Sequence, residues 1–142
     1  MDFILDKLGG LTGYLSIALF ALLAFRYILK AYFKSQGKSL NKESQFYKNL
    51  VKLLALNKKG HPLLGYLTLG MIVIHVYLQT GFQLHFYSTT LTGMAAAGFM
   101  TLNVLSGVMG EYVLKKPRPV WWIWVHRVLT LVIAVAILIH IN

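Results

Sequence analysis

Residues 61–80 read HPLLGYLTLGMIVIHVYLQT, a stretch with no Lys, Arg, Asp or Glu. A helix needs about 20 mostly apolar residues to cross the hydrocarbon core of a bilayer, so the residues from about 62 to 80 predict a transmembrane helix. Three more stretches are long and apolar enough, at about 11–33, 91–114 and 120–141. The sequence therefore predicts an all-α, polytopic membrane protein in which 1–142 form a single four-helix transmembrane domain.

The composition agrees with a membrane environment. Hydrophobic residues make up 57% of the chain and charged residues 13%, more apolar surface than a soluble domain of this size can bury. The absence of cysteine excludes disulfides, thiolate metal sites, Fe–S clusters and covalent haem attachment through a C-x-x-C-H motif. The net charge of +10 comes mostly from residues beside the apolar stretches, so we expect membrane lipid as a partner and no nucleic acid.

The basic residues predict an orientation. Ten of the 14 Lys and Arg residues lie between the first and second spans or between the third and fourth, whereas 81–90 contain neither. The ten are Lys34, Lys38, Lys42, Lys48, Lys52, Lys58, Lys59, Lys115, Lys116 and Arg118. Because basic loops stay on the cytoplasmic side, we expect both termini on the outer side of a bacterial cytoplasmic membrane. Trp121, Trp122 and Trp124 are then expected to form an aromatic belt at the cytoplasmic face.

The segment before the second span has a helical pattern of its own. Apolar side chains recur at helical spacing over about 42–57, at Phe46, Leu50, Leu53 and Leu54. This predicts a cytoplasmic amphipathic helix whose lysines meet lipid headgroups. The alternative is a docking platform for a cytoplasmic partner. Pro62 is expected in the first turn of the helix that follows.

Four of the five histidines form a regular pattern. His61 and His75 lie 14 residues apart on the second span, and His126 and His140 lie 14 apart on the fourth. That spacing is about 21 Å of helix rise with a net rotation of about 40°. Since alternate spans run in the same direction, His61 should be level with His126 on the inner side, and His75 with His140 on the outer side.

Two facing imidazoles at each of two levels point to haem. Zinc or copper needs more protein ligands, and neither level offers a Cys, Asp or Glu. Haem brings four equatorial nitrogens and needs only two axial ligands, and bis-histidine iron is suited to electron transfer. The pattern predicts two b-type haems. The alternative is histidines that only pack or form hydrogen bonds between helices.

Other residues fit around such cofactors. Gly93 and Gly107, again 14 residues apart on the third span, would give clearance for the two macrocycles, although close helix packing alone also uses small residues. Arg26 and Arg127 are candidates to bind inner propionates, since each lies within an apolar span. The alternative for both is ordinary placement of basic residues on the inner side. His85 is either a surface histidine or a proton-exchange group for a quinone.

The histidine layout resembles the di-haem four-helix bundle of cytochrome b in the respiratory cytochrome bc complexes. There, too, the ligands lie on the second and fourth helices, and paired glycines recur on the intervening ones. Ferric reductases and NADPH oxidases use a similar histidine spacing on a six-span scaffold. This chain departs from cytochrome b in having four spans, without the later helices that help to build quinone sites, and in the predicted side of its N-terminus.

The resemblance implies a small membrane cytochrome b that works with separate subunits. We expect the cytochrome b membrane-anchor subunit of a bacterial quinone-linked oxidoreductase, with menaquinone or ubiquinone as substrate and a cytoplasmic flavoprotein or Fe–S subunit as partner. The chain offers no evident catalytic acid, base or nucleophile, so its own role is electron transfer. The alternatives are a stand-alone transmembrane reductase for an external acceptor such as ferric iron, and a haem-free membrane anchor or assembly protein.

Overall fold

The computed structural model describes residues 2–37, 39–81, 88–114 and 117–142. These residues are mostly helical, with the following bounds: α1 (Asp2–Gln36), α2 (Gln45–Thr80), α3 (Ser88–Val108, continued by a π-helix over Met109–Val113) and α4 (Val120–Ile141). Each of α1 to α4 is long and apolar enough to cross a membrane. The predictions of an all-α chain and of four helices that can span a bilayer are confirmed.

The largest differences from the predicted spans are at the N-terminal ends of α2 and α1, which begin earlier than predicted. α4 matches the prediction of 120–141, whereas α1 extends beyond 11–33 at both ends. The π-helix carries the third helical segment to Val113, close to the predicted end at 114, and the Leu114 N–H donates to the Met109 carbonyl at 3.0 Å.

The structure does not show a separate amphipathic helix over 42–57. That segment and the predicted second span form one continuous helix, α2, which Ser44 caps by accepting from the Tyr47 N–H at 3.2 Å. Pro62 lies in the helix interior rather than in a first turn, so that prediction was wrong. Proline cannot donate to the carbonyl four residues earlier, but membrane helices tolerate the break in the ladder because neighbouring groups can satisfy that carbonyl.

The helices pack mainly in two pairs. α1 lies along α2, α3 lies along α4, and α2 also contacts α3. The buried core consists of Phe20, Leu23, Met100 and Ile133. Ile133 is seven residues from each histidine of α4, and the fully buried Thr68 is seven from each histidine of α2. The core therefore forms a layer midway between the two histidine levels and does not extend to the histidines themselves.

α1 and α2 extend beyond the other pair at the basic end. Sixteen residues of α2 precede His61, but six residues of α4 precede His126, so α2 protrudes by about 15 Å. The protruding part is packed: Leu29 and Leu50 are buried, and the rings of Phe33 and Tyr47 lie 5.8 Å apart. We call residues 27–59 the basic hairpin. Its described lysines are all exposed: Lys30, Lys34, Lys42, Lys48, Lys52, Lys58 and Lys59.

Candidate functional site

The four regularly spaced histidines meet as two pairs between α2 and α4. The ring centres of His61 and His126 are 6.2 Å apart. The ring centres of His75 and His140 are 6.4 Å apart. In both pairs the ring planes are inclined at 76°. The pairing is the one expected from helix rise and direction, with His61 level with His126 and His75 level with His140.

These separations can be compared with the geometry of a shared metal. A metal–nitrogen bond to histidine is about 2.0 Å long and the nitrogen lies about 1.1 Å from the ring centre, so two imidazoles on opposite sides of one iron have centres about 6 Å apart. Both pairs have this separation. Among the described residues no group of three or more His, Asp or Glu side chains is placed to hold a metal ion, and haem needs only the two axial ligands that each pair provides.

Hydrogen bonds assign the tautomers of His75 and His126. Nδ1 of His75 lies 2.8 Å from the carbonyl oxygen of Gly9, which only accepts, so this nitrogen carries the proton. Nδ1 of His126 lies 2.8 Å from the Ser106 hydroxyl, which donates its own proton to the Asn103 carbonyl at 2.7 Å and therefore accepts from the ring. Both rings thus keep an unprotonated Nε2, the arrangement typical of a histidine ligand held by an outer partner.

The other two histidines differ in their outer partners. Nδ1 of His140 is 3.3 Å from the Thr92 hydroxyl on α3. Nδ1 of His61 is buried and has no hydrogen-bond partner among the described residues, and the same is true of Oδ1 of Asn57. His61 is therefore the one of the four whose orientation no described hydrogen bond holds.

Glycines lie directly against three of the imidazole rings. A Cβ atom at Gly93 would be 2.8 Å from Cε1 of His140, and one at Gly107 would be 3.6 Å from Cε1 of His126. The two glycines of α3 are therefore beside the outer and inner pairs, as their spacing predicted. A Cβ at Gly13 of α1 would be 3.0 Å from Cε1 of His75. The sequence analysis did not predict that α1 contacts His75 through Gly9 and Gly13. Two glycines one turn apart were a signal that another group approaches this face of α1 closely.

A cavity of about 690 Å³ opens at the inner pair and is lined by His61, His126 and Gly107. This volume is within the range of cofactor pockets. Among its described lining residues, Glu111 is the one carboxylate. The lining also contains six basic residues: Arg26, Lys30, Lys58, Lys59, Arg118 and Arg127. Both arginines proposed as propionate partners line it. The Arg127 guanidinium lies over Tyr27 and Trp124, with its carbon 6.0 and 5.8 Å from the two ring centres.

Trp122 supports His126 from the side. Its ring stacks on the imidazole with centres 5.6 Å apart and planes at 11°, and its Nε1–H donates to the Ser106 carbonyl at 2.9 Å. The Arg118 guanidinium lies 5.4 Å from the ring centre of Trp122, donates to the Gly110 carbonyl and pairs with Glu111. Trp122 is buried, whereas Trp121 and Trp124 are exposed, so of the three tryptophans expected in the aromatic belt only these two face outward.

Gly110 of the π-helix makes room for Trp122. A Cβ atom at this position would overlap the indole ring. We expect Gly110→Ala to lower the stability of the purified protein by about 1–3 kcal/mol, because the ring must move and overpacking costs that much. Thermal unfolding in detergent measures the loss. Gly98→Ala is the matched control, since a methyl group at that position would have no neighbouring atom within 4 Å, and equal unfolding temperatures for the two variants would contradict the prediction.

The outer level has polar neighbours of a different kind. Thr92 of α3 is beside His140, and the Gln79 side chain lies against Gly9 of α1. His85 lies outside the described residues, so the structure does not test its two alternatives. No protein family, curated protein sequence or solved structure matches the chain.

Proposed function

We propose that this protein carries electrons across a membrane through two b-type haems. The inner haem would be held by His61 and His126 and the outer haem by His75 and His140. The observation that carries the proposal is the pair of imidazole separations, 6.2 and 6.4 Å, which suit two ligands of one iron. The hydrogen-bonded Nδ1 atoms of His75 and His126 support it, because they leave Nε2 of each ring available.

A bound haem supplies a one-electron iron couple. In this proposal the chain fills both axial positions with imidazole, which favours electron transfer over binding of an external ligand. Arg26 and Arg127, on the lining of the inner cavity, would bind the propionates as charge-assisted partners. Gly13 and Gly93 would let the imidazoles of His75 and His140 approach α1 and α3, since a Cβ atom there would be 3.0 and 2.8 Å from the rings. The core layer with Phe20 and Ile133 would hold the two sites apart.

We further propose that the protein is the cytochrome b membrane-anchor subunit of a bacterial quinone-linked oxidoreductase, with menaquinone or ubiquinone as substrate. The basic hairpin protrudes by about 15 Å from the ends of α3 and α4 and exposes its lysines. Such a surface suits a soluble flavoprotein or Fe–S subunit with an acidic face. In this arrangement the hairpin is cytoplasmic and both termini are on the outer side of the membrane.

A visible spectrum of the protein purified in mild detergent tests the haem proposal. We expect the reduced α-band of bis-histidine b haem and about two haems per chain by pyridine haemochrome, one for each histidine pair. The oxidised protein should give low-spin ferric EPR signals. A folded but colourless preparation would reject the proposal and favour the haem-free anchor. A haem-containing protein that purifies without soluble subunits and reduces ferric iron would favour the stand-alone reductase.

A further inference from the structure

Two buried polar atoms without partners lie one helical turn apart on α2. They are Oδ1 of Asn57 and Nδ1 of His61, and the described part of the chain has no other buried side-chain nitrogen or oxygen without a hydrogen-bond partner. Buried polar groups are nearly always paired, because leaving one unpaired forfeits its hydrogen bonds to water. The two atoms therefore call for a physical explanation.

The two groups are chemically complementary. An imidazole that offers Nε2 to a metal carries its proton on Nδ1 and is a donor there, whereas the amide oxygen of asparagine only accepts. Residues four apart on a helix have Cβ atoms about 5–6 Å apart, within reach of a side-chain hydrogen bond. The two atoms are not bonded in this structure, so the bond requires a change of side-chain rotamer.

We propose that Asn57 is the positioning residue of the inner site, and that its Oδ1 accepts the Nδ1–H of His61 when Nε2 binds iron. The inference rests on the proposed function, because it assigns His61 as a haem ligand. Asn57 would do for His61 what the Gly9 carbonyl does for His75 and what Ser106 does for His126. It would fix the tautomer and the ring direction and raise the basicity of the ligand nitrogen.

A competing acceptor lies on the same helix. Pro62 has no N–H, so the Lys58 carbonyl lacks its usual donor within the helix. That carbonyl belongs to the residue three positions before His61 and would accept the Nδ1–H of His61 if Asn57 does not. The side chain of Asn57 can be changed while this carbonyl stays in place, so substitution distinguishes the two acceptors.

The test compares Asn57→Leu and Asn57→Asp in the purified holoprotein. Asn57→Leu keeps a similar shape but has no acceptor, so we expect the inner haem to be retained about 10–100-fold more weakly. Its reduction potential should rise, because a less basic ligand stabilises ferric iron less. Asn57→Asp offers a stronger acceptor, so it should retain the haem and lower the same potential. Optical redox titration and haem content per chain are the readouts, and the outer haem should titrate unchanged in both variants.

Asn49→Leu is the control, because Asn49 is an exposed asparagine two turns earlier on α2 that pairs with Gln45. It should leave both potentials at the wild-type values. If the inner potential is unchanged in Asn57→Leu or in Asn57→Asp, the positioning role is rejected even when the other variant does not fold. If the wild-type protein binds no haem, the proposed function itself fails, and the two failures are thereby distinguished.

Discussion

Replacing His75 with alanine is expected to lower the haem content from two per chain to one. The variant loses one of the two proposed axial ligands of the outer haem and leaves His61 and His126 untouched. The two levels are about 21 Å apart along the helices and are separated by the packed layer of Phe20, Met100 and Ile133. Loss of the haem at one level should therefore leave the haem at the other level bound. Pyridine haemochrome and the number of low-spin EPR signals measure the result.

The reciprocal variant and a matched histidine control complete this experiment. His61→Ala should remove the inner haem and retain the outer one, so the two variants should lose different EPR signals. His85→Ala removes the histidine outside the pattern and should keep both haems. Helix content by circular dichroism shows that each variant is folded. Two haems retained in folded His75→Ala, or loss of both in a folded His61→Ala, would contradict the assignment of pairs.

Gly93→Ala is expected to disrupt the outer site with a change of a single methyl group. The added Cβ would be 2.8 Å from Cε1 of His140, closer than carbon atoms tolerate, so the imidazole or α3 must shift. Overpacking of this kind costs about 1–3 kcal/mol, which is enough to weaken a bound cofactor about fivefold to more than a hundredfold. We expect the outer haem to be lost preferentially during detergent purification, with the inner haem retained. Haem content and the outer redox wave are the measurements.

Gly107→Ala is the matched comparison on the same helix. Its Cβ would be 3.6 Å from Cε1 of His126, an ordinary contact distance, and a Cβ at Gly98 would have no neighbour within 4 Å. Both variants should keep two haems. If Gly107→Ala loses the inner haem as readily as Gly93→Ala loses the outer one, the prediction is contradicted. Contact of the added methyl group with the haem, rather than with the imidazole, would then decide whether alanine is tolerated at these positions.

Several properties followed from local sequence alone. The four apolar segments predict spanning helices because helix length and hydrocarbon thickness are fixed quantities. The spacing of 14 residues places His61 and His75 on nearly one face because the helical repeat is regular. Helix direction then matches His61 with His126 and His75 with His140. These inferences need no knowledge of the neighbouring helices beyond their order along the chain.

The surroundings of each imidazole were not predictable in the same way. Ser106 is identified as a partner of His126 only by the packing of α3 against α4. Gly9 and Gly13 reach His75 from α1, more than sixty residues away in sequence. Such contacts depend on the rotation and tilt of each helix about its axis, which many weak van der Waals contacts decide together in a membrane.

The continuity of α2 was likewise decided in three dimensions. The sequence predicted an interfacial helix over about 42–57 and a new helix with Pro62 in its first turn, where a missing backbone donor does no harm. In the folded chain α1 packs along α2 through Leu29, Leu50 and the ring contact of Phe33 with Tyr47. The sequence thus determined the spans and the spacing of the histidines, because both follow from the geometry of a single helix. The outer partners of the histidines and the protruding hairpin were decided by the tertiary structure, because they depend on side chains from different helices packing together.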